Sequence, residues 1–171
     1  MSEAPTLPAD HRTIQHRCKE LLTDLGLLGR PFTVDDVARA LEHRTGRPIR
    51  ILPMDHIPGG AYGLWISTDT EDLVFYVRDA QPLQREVIIL HELVHISLCH
   101  PGVHLSAEQL RTALPDLDED LINEILERSS YDQEHEYMAE AMARTLARMS
   151  RTTQNAAAPA TPEARFTRSL L

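Results

Sequence analysis

The stretch His91-Glu92-Leu93-Val94-His95 places two histidines four positions apart, with a glutamate directly after the first. On a helix, positions four apart lie on one face, so both imidazoles would point the same way. Neutral imidazoles are common ligands of Zn²⁺, and the adjacent carboxylate can act on a water molecule bound to the metal. The spacing therefore predicts a zinc site in which His91 and His95 are ligands and Glu92 is the catalytic base.

The motif lies in the longest apolar stretch of the chain, Val87–Leu98. Two histidines and a carboxylate buried in such a helix are costly unless each of them has a polar partner. One metal ion would satisfy all three groups. The alternative is a pair of hydrogen-bonded histidines in an ordinary core.

A third ligand is needed, because a catalytic zinc site usually has three protein ligands and one position for water. The metzincin pattern would place a histidine six residues after His95, but Pro101 stands there, which excludes that class. His100 and His104 follow the motif closely and are alternative ligands.

A later predicted helix offers better-placed carboxylates. Glu136 shares a helical face with small residues three, seven and eleven positions further on, and small side chains let two helices approach closely. Glu136 is therefore the favoured third ligand. Glu140, one turn beyond it, is an alternative ligand or a support for one, and Glu134 lies on another face as the weakest candidate. The small residues are Ala139, Ala143 and Ala147.

Hydrophobic periodicity and capping residues predict the elements that carry these side chains. Asp10 caps a helix that runs to about Leu25, and Thr33 opens a second helix with Asp36 in capping-box spacing. The other predicted elements are strands at Ile49–Leu52, Tyr62–Ser67 and Leu73–Val77, the motif helix from Pro82 to about Cys99, and helices at Asp116–Arg128 and from near Ser130 to about Met149.

This order predicts an α+β fold, with helices packed around a small antiparallel sheet of about three strands and a zincin-like active-site helix. Residues 10–149 would form this single domain, between a disordered N-terminus at 1–9 and a disordered C-terminal tail at 150–171. Either strand Tyr62–Ser67 or strand Leu73–Val77 could supply a sheet edge that binds an extended peptide.

A hydrolase of this kind also needs a donor that stabilises the negative charge of the transition state. His104 and Tyr131 are candidates for that donor, with ordinary surface or packing roles as the alternative. Trp65 is favoured as a core residue over a role in lining the substrate cleft.

The 171 residues carry a formal net charge of −9, which disfavours nonspecific binding to nucleic acid. The first two helices follow each other as in a helix-turn-helix, but no basic recognition helix is present, so no direct nucleic-acid binding is expected. No apolar stretch is long enough to cross a membrane, the N-terminus lacks the character of a signal peptide, and the two cysteines suggest no disulfide. We expect a cytoplasmic protein, with Cys99 as a buried structural thiol.

At these residues the chain resembles the ImmA/IrrE family of zinc metallopeptidases. The likeness joins the 91–95 motif to a downstream segment and covers roughly residues 10–149. It implies a gluzincin-like metalloprotease, with His91, His95 and Glu136 as zinc ligands and Glu92 as the base. Members of this family typically cut a partner transcriptional repressor, so the resemblance implies a protein substrate and a role in transcription regulation. The matching downstream positions are Glu136, Ala139, Glu140, Met142 and Ala143.

Two other functions fit the same residues. A metal-bound but noncatalytic sensor or protein-binding module could contact a repressor or a toxin, in a regulatory or toxin-antitoxin-like pair. The intact Glu92 favours the enzyme, because a purely structural zinc site does not need it and usually closes with four protein ligands. A zinc hydrolase that acts on a nonpeptide substrate is the third candidate.

Overall fold

Four helices and four strands make up the part of the chain that the computed structural model describes, which is residues 10–55, 57, 61–100, 103–104 and 133–157. The fold is α+β. The predicted helix at 116–128, the looser segment before it and the predicted disordered stretch at 1–9 lie outside these residues. The elements are α1 (His11–Asp24), α2 (Val34–Thr45), β1 (Ile49–Met54), β2 (Gly63–Ser67), β3 (Asp72–Val77), α3 (Pro82–Ser97), β4 (Val103–His104) and α4 (Gln133–Ala157).

The first two helices begin at the predicted caps. The Asp10 carboxylate accepts a hydrogen bond of 2.7 Å from the backbone N–H of Thr13. Thr33 and Asp36 form a reciprocal capping box, in which each side chain accepts from the backbone N–H of the other. Gly46 ends α2 with a φ of 69°, a conformation that glycine adopts without steric cost. These cap predictions are confirmed.

The sheet is mixed, so the prediction of an antiparallel sheet is wrong. Its strand order over the described residues is β1-β3-β2-β4. Only β2 and β3 pair in antiparallel fashion, whereas β1 runs parallel to β3 and β4 runs parallel to β2. Leu73, Val74 and Phe75 of β3 are consecutive and all buried, which requires apolar packing on both faces and favours the central position. The strand Leu73–Val77 is therefore no sheet edge.

An ion pair between the partly exposed Arg47 and the buried Asp72 ties one end of the sheet to the end of α2. Asp72 is only 3% exposed and receives bonds of 3.1 Å from Arg47 Nε and from Trp65 Nε1. Arg47 also donates to the carbonyl oxygens of Thr68 and Glu71 in the turn between β2 and β3. Trp65 is thereby held in the core, as the sequence favoured, and it also contributes to the wall of a cleft, the role that was the alternative. The whole turn is fixed by side-chain hydrogen bonds.

The motif helix α3 lies at the centre of the fold, because it packs against α4, α2 and one face of the sheet. Its most extensive contact is with α4. The small residues on the facing side of α4 are completely buried, so the two helices approach closely there. They are Ala139, Ala143 and Ala147.

The last helix continues to Ala157, beyond the predicted end near Met149. Ser150 is buried and its hydroxyl donates to the carbonyl oxygen of Phe32, as does the side-chain amide of Gln154. The predicted disordered tail is therefore wrong for 150–157, because these polar side chains satisfy a buried carbonyl. Residues 158–171 lie outside the description. No helix in the described part of the chain is long and apolar enough to cross a membrane.

Candidate metal centre

Helices α3 and α4 bring His91, His95 and Glu136 together, with one ligand atom from each lying within 4.8 Å of the others. His91 Nε2 and His95 Nε2 are 3.0 Å apart. Glu136 Oε2 lies 3.4 Å from His91 Nε2, and Glu136 Oε1 lies 3.2 Å from His95 Nε2. These three residues form a group that could hold a metal ion.

The spacing of these atoms is close to that of a tetrahedral zinc site. Zinc bonds of about 2.0–2.1 Å place any two ligand atoms of such a site about 3.3 Å apart. The two imidazole nitrogens are 3.0 Å apart, and each of them has a Glu136 oxygen near that separation, Oε2 for His91 and Oε1 for His95. Glu136 Oε1 is buried, and no donor in the described part of the chain has hydrogen-bond geometry to it, although His95 Nε2 is near. A buried carboxylate oxygen without a donor is costly, and a cation between the three side chains would satisfy it. The donor set of two imidazoles and a carboxylate suits zinc.

The charges of the three side chains are coupled. The neighbouring imidazoles of His91 and His95 lower the pKa of Glu136 to about 2, so this carboxylate is ionised at neutral pH. Burial lowers the pKa of His95 and favours its neutral form. Burial alone would lower the pKa of His91, but the carboxylates around it, with Glu136 foremost, outweigh that effect and raise the pKa. The cluster thus offers a carboxylate anion and a neutral imidazole, the forms that bind metals.

Glu92 stands beside this cluster but is not one of its ligand groups. It is buried, and burial raises the pKa of its carboxyl group to about 7. The first residue of β2, Gly63, passes so close that a Cβ there would lie 2.6 Å from Glu92 Oε1 and 2.8 Å from Ile88 Cγ2. Only glycine leaves room for the carboxylate at this crossing. The sequence gives no signal of this contact except the glycine at the start of a strand.

The other two glutamates of α4 differ in position. Glu140 Oε2 lies 3.5 Å from His91 Nδ1, the nitrogen opposite to the one in the cluster, and Glu140 also pairs with Arg144. Glu140 is therefore placed beside a ligand, as a support would be. Glu134 is exposed and outside the cluster.

Of the alternative ligands and predicted donors His100, His104 and Tyr131, only His100 has a described side chain. His100 contacts His95 Nδ1 at 2.9 Å, on the side away from Glu136, and so lies outside the three-residue cluster. His104 belongs to β4, but its side chain is outside the description, as is all of Tyr131. The donor prediction stays a prediction.

Cys99 is exposed, so the prediction of a buried thiol is wrong. Helix α3 ends at Ser97, and Cys99 adopts a left-handed conformation with a φ of 53°. This turn takes the side chain off the apolar face that the helical pattern assigned to it. Cys18 is buried in α1, and burial raises the pKa of its thiol to about 12.

A cleft of about 860 Å³ opens onto the cluster. Its walls come from three elements: β2 with the residues just before it, the outer face of α3, and the first turns of α4. The metal-binding candidates His91 and Glu136 and the buried Glu92 all line it, together with apolar side chains that include Leu64, Leu83, Val87 and Ile88.

Neither a family model nor a curated protein matches the chain. A solved structure of a Mycobacterium tuberculosis transcriptional regulator matches with 19% sequence identity and a TM-score of 0.42. The match covers 85% of this chain, which spans 38% of the length of that regulator.

Proposed function

We propose that this chain is a zinc-dependent endopeptidase of the ImmA/IrrE type, which cleaves a partner regulatory protein such as a helix-turn-helix repressor. One observation carries the proposal. Two of the three candidate ligands, His91 and Glu136, line an open cleft, and the buried Glu92, which is not a ligand, lines it as well. A purely structural metal site requires neither the cleft nor Glu92.

The chain's own residues fill the roles that peptide hydrolysis requires. His91, His95 and Glu136 would hold the zinc ion, which when bound lowers the pKa of a water molecule and polarises a carbonyl group. Glu92 would accept a proton from the attacking water molecule and would later deliver a proton to the leaving amine. In the metal-free protein burial raises the pKa of Glu92 to about 7, a range in which a carboxyl group can both accept and release a proton near neutral pH.

A sheet edge beside the cluster supports a peptide substrate. Residues 61–65 line the cleft in sequence, and β4 pairs only with Ile66 and Ser67 of β2. Over the described residues, the side of β2 away from β3 therefore has no partner strand from Gly63 to Trp65. An extended peptide can add to such an edge through backbone hydrogen bonds. Of the two strands that the sequence offered, β2 is the one available for this role.

The metal is tested first. Purified chain should contain about one equivalent of zinc per molecule, measured by elemental analysis, and His91→Ala should lose it. Full retention of zinc by that variant contradicts the ligand assignment. His43→Ala, on the exposed side of α2, is the matched control and should retain the metal.

Catalysis is tested by co-expression with a helix-turn-helix repressor encoded beside this chain. The wild type should cleave the repressor, whereas Glu92→Gln should retain zinc and fold but leave the repressor intact. Glu20→Gln, an exposed residue of α1, should cleave as the wild type does. Binding of the repressor without cleavage by the wild type would favour the noncatalytic binding module instead.

A further inference from the structure

The buried side of His95 carries a contact that the proposed reaction does not use. Its Nε2 atom faces His91 and Glu136, whereas its Nδ1 atom lies 2.9 Å from Nδ1 of His100. His95 is 0% exposed, so bulk water does not reach this second nitrogen. The identity of the atom opposite Nδ1 therefore determines where the imidazole proton resides.

A tight turn at the end of α3 places His100 at this position. The backbone N–H of His100 donates to the carbonyl oxygen of His95 at 3.1 Å, and that of Cys99 donates to Ile96 at 3.2 Å. With Cys99 in the left-handed conformation, these two bonds form a Schellman motif. Such a turn usually has glycine at the left-handed position, where other residues are strained. The strained turn folds His100 back beneath the ring of His95.

The ring of His100 is held from its other side by α4. The imidazole of His135 stacks on it, with 4.1 Å between the ring centroids and 22° between the planes. His135 immediately precedes Glu136, so the same turn of α4 fixes both the candidate ligand and the ring of His100.

We propose that His100 is a positioning residue for the metal ligand His95, an inference that rests on the proposed metal centre. In a neutral imidazole one nitrogen carries the proton and the other has the lone pair. His95 Nδ1 donates its proton to the lone pair of His100 Nδ1, which leaves the lone pair of His95 Nε2 directed at the metal. Partners of this kind fix the orientation and tautomer of metal-binding histidines in proteins.

The other ligand histidine has a different partner. His91 Nδ1 faces the Glu140 carboxylate at 3.5 Å without hydrogen-bond geometry. The two ligand histidines therefore have different partners. The fully buried His95 has a neutral imidazole at 2.9 Å, whereas His91 has a carboxylate at 3.5 Å. Removing the partner of His95 should therefore weaken the metal centre.

The test measures zinc affinity by competition with a chromophoric chelator. His100→Ala should weaken affinity about 10–100-fold, the range found for partners of ligand histidines. His100→Asn should recover most of this loss, because its amide oxygen takes the place of Nδ1 and accepts the same proton. His43→Ala should bind zinc as the wild type does.

Two further readouts separate positioning from folding and from ligation. With chelator present, the melting temperatures of His100→Ala and the wild type should agree within a few degrees. In the zinc-loaded wild type, NMR should show a slowly exchanging His95 Nδ1 proton that is lost in His100→Ala.

Unchanged zinc affinity in His100→Ala would overturn the inference while leaving the metal centre intact. Loss as complete as in His91→Ala, with no recovery in His100→Asn, would overturn it by making His100 a ligand. A folded wild type that binds no zinc would overturn both this inference and the proposed function.

Discussion

Replacing Gly63 by alanine perturbs the proposed base without touching any proposed ligand. The added Cβ would lie 2.6 Å from Glu92 Oε1 and 2.8 Å from Ile88 Cγ2, whereas ordinary van der Waals contact begins at 3.4 Å. The carboxylate or the strand must therefore retreat by about 0.8 Å, and a misplacement of about 1 Å in a catalytic group can cost about 100-fold in rate. We expect Gly63→Ala to slow repressor cleavage by about that factor.

The same overlap has a cost in stability. Overpacking of a well-packed site costs about 1–3 kcal/mol in the free energy of unfolding. For a chain of this size that corresponds to a fall of about 3–9 °C in melting temperature. Zinc content should not change, because neither Cβ contact involves His91, His95 or Glu136.

The assays are cleavage of the repressor under single-turnover conditions, thermal unfolding and elemental analysis of zinc. A double-mutant cycle supplies the control. In a Glu92→Ala background, Gly63→Ala should cost less stability than in the wild type, because one of the two overlaps has been removed. A Gly63→Ala variant that cleaves as fast as the wild type and melts at the same temperature would refute the close-approach reasoning.

Three further predictions concern charge. Glu136→Gln should weaken zinc binding by about two to four orders of magnitude, the share of one ligand among three in about 10–16 kcal/mol, whereas Glu134→Gln should leave zinc binding unchanged in a chelator competition assay. Equal effects of the two substitutions would contradict the assignment of Glu136 as a ligand. Burial raises the pKa of Glu92 from 4.5 to about 7 in the folded protein. The free energy of unfolding is therefore unaffected below pH 4.5, where the carboxyl group is neutral in both states, and it falls as the pH rises to 7, because the unfolded chain ionises first. In chelator, the stability of Glu92→Gln relative to the wild type should therefore increase by about 2–3 kcal/mol between pH 5 and pH 8 in denaturant titrations, and a difference that does not change with pH would contradict this. Asp72→Ala should cost about 2–3 kcal/mol, because Trp65 Nε1 loses its buried acceptor whereas the partly exposed Arg47 keeps the carbonyl oxygens of Thr68 and Glu71, and a loss below 1 kcal/mol would show that water replaces the carboxylate.

The sequence predicted best what depends on local chemistry. The caps at Asp10 and Thr33 require only short-range hydrogen bonds, and the structure contains both. The face of α4 that carries Glu136 follows from helical periodicity, because small residues at fixed offsets indicate the side that packs against a helix. The structure brings Glu136 to His91 and His95 through that face.

The sequence predicted least where distant segments determine the result. Three apolar strands do not specify which of them is central, and the parallel pairing of β1 with β3 depends on the path of the intervening chain. The polar composition after Met149 is typical of a tail, but Ser150 and Gln154 find a buried carbonyl at Phe32. The close approach at Gly63 is likewise a tertiary feature that no short pattern encodes. The turn at Cys99 is local, but the chain lacks there the glycine that usually marks such a turn.

The candidate ligands come from parts of the chain that are about 40 residues apart in sequence, His95 on one side and Glu136 on the other. Zinc bound at the proposed metal centre would therefore also cross-link these two parts of the chain. A cross-link stabilises a fold because it restricts the conformations of the unfolded chain. Free zinc at about 100 times its dissociation constant would add about 2.7 kcal/mol to the free energy of unfolding. The lifetime of this protein in a cell would then follow zinc supply, because a zinc-starved chain opens more often and is degraded sooner.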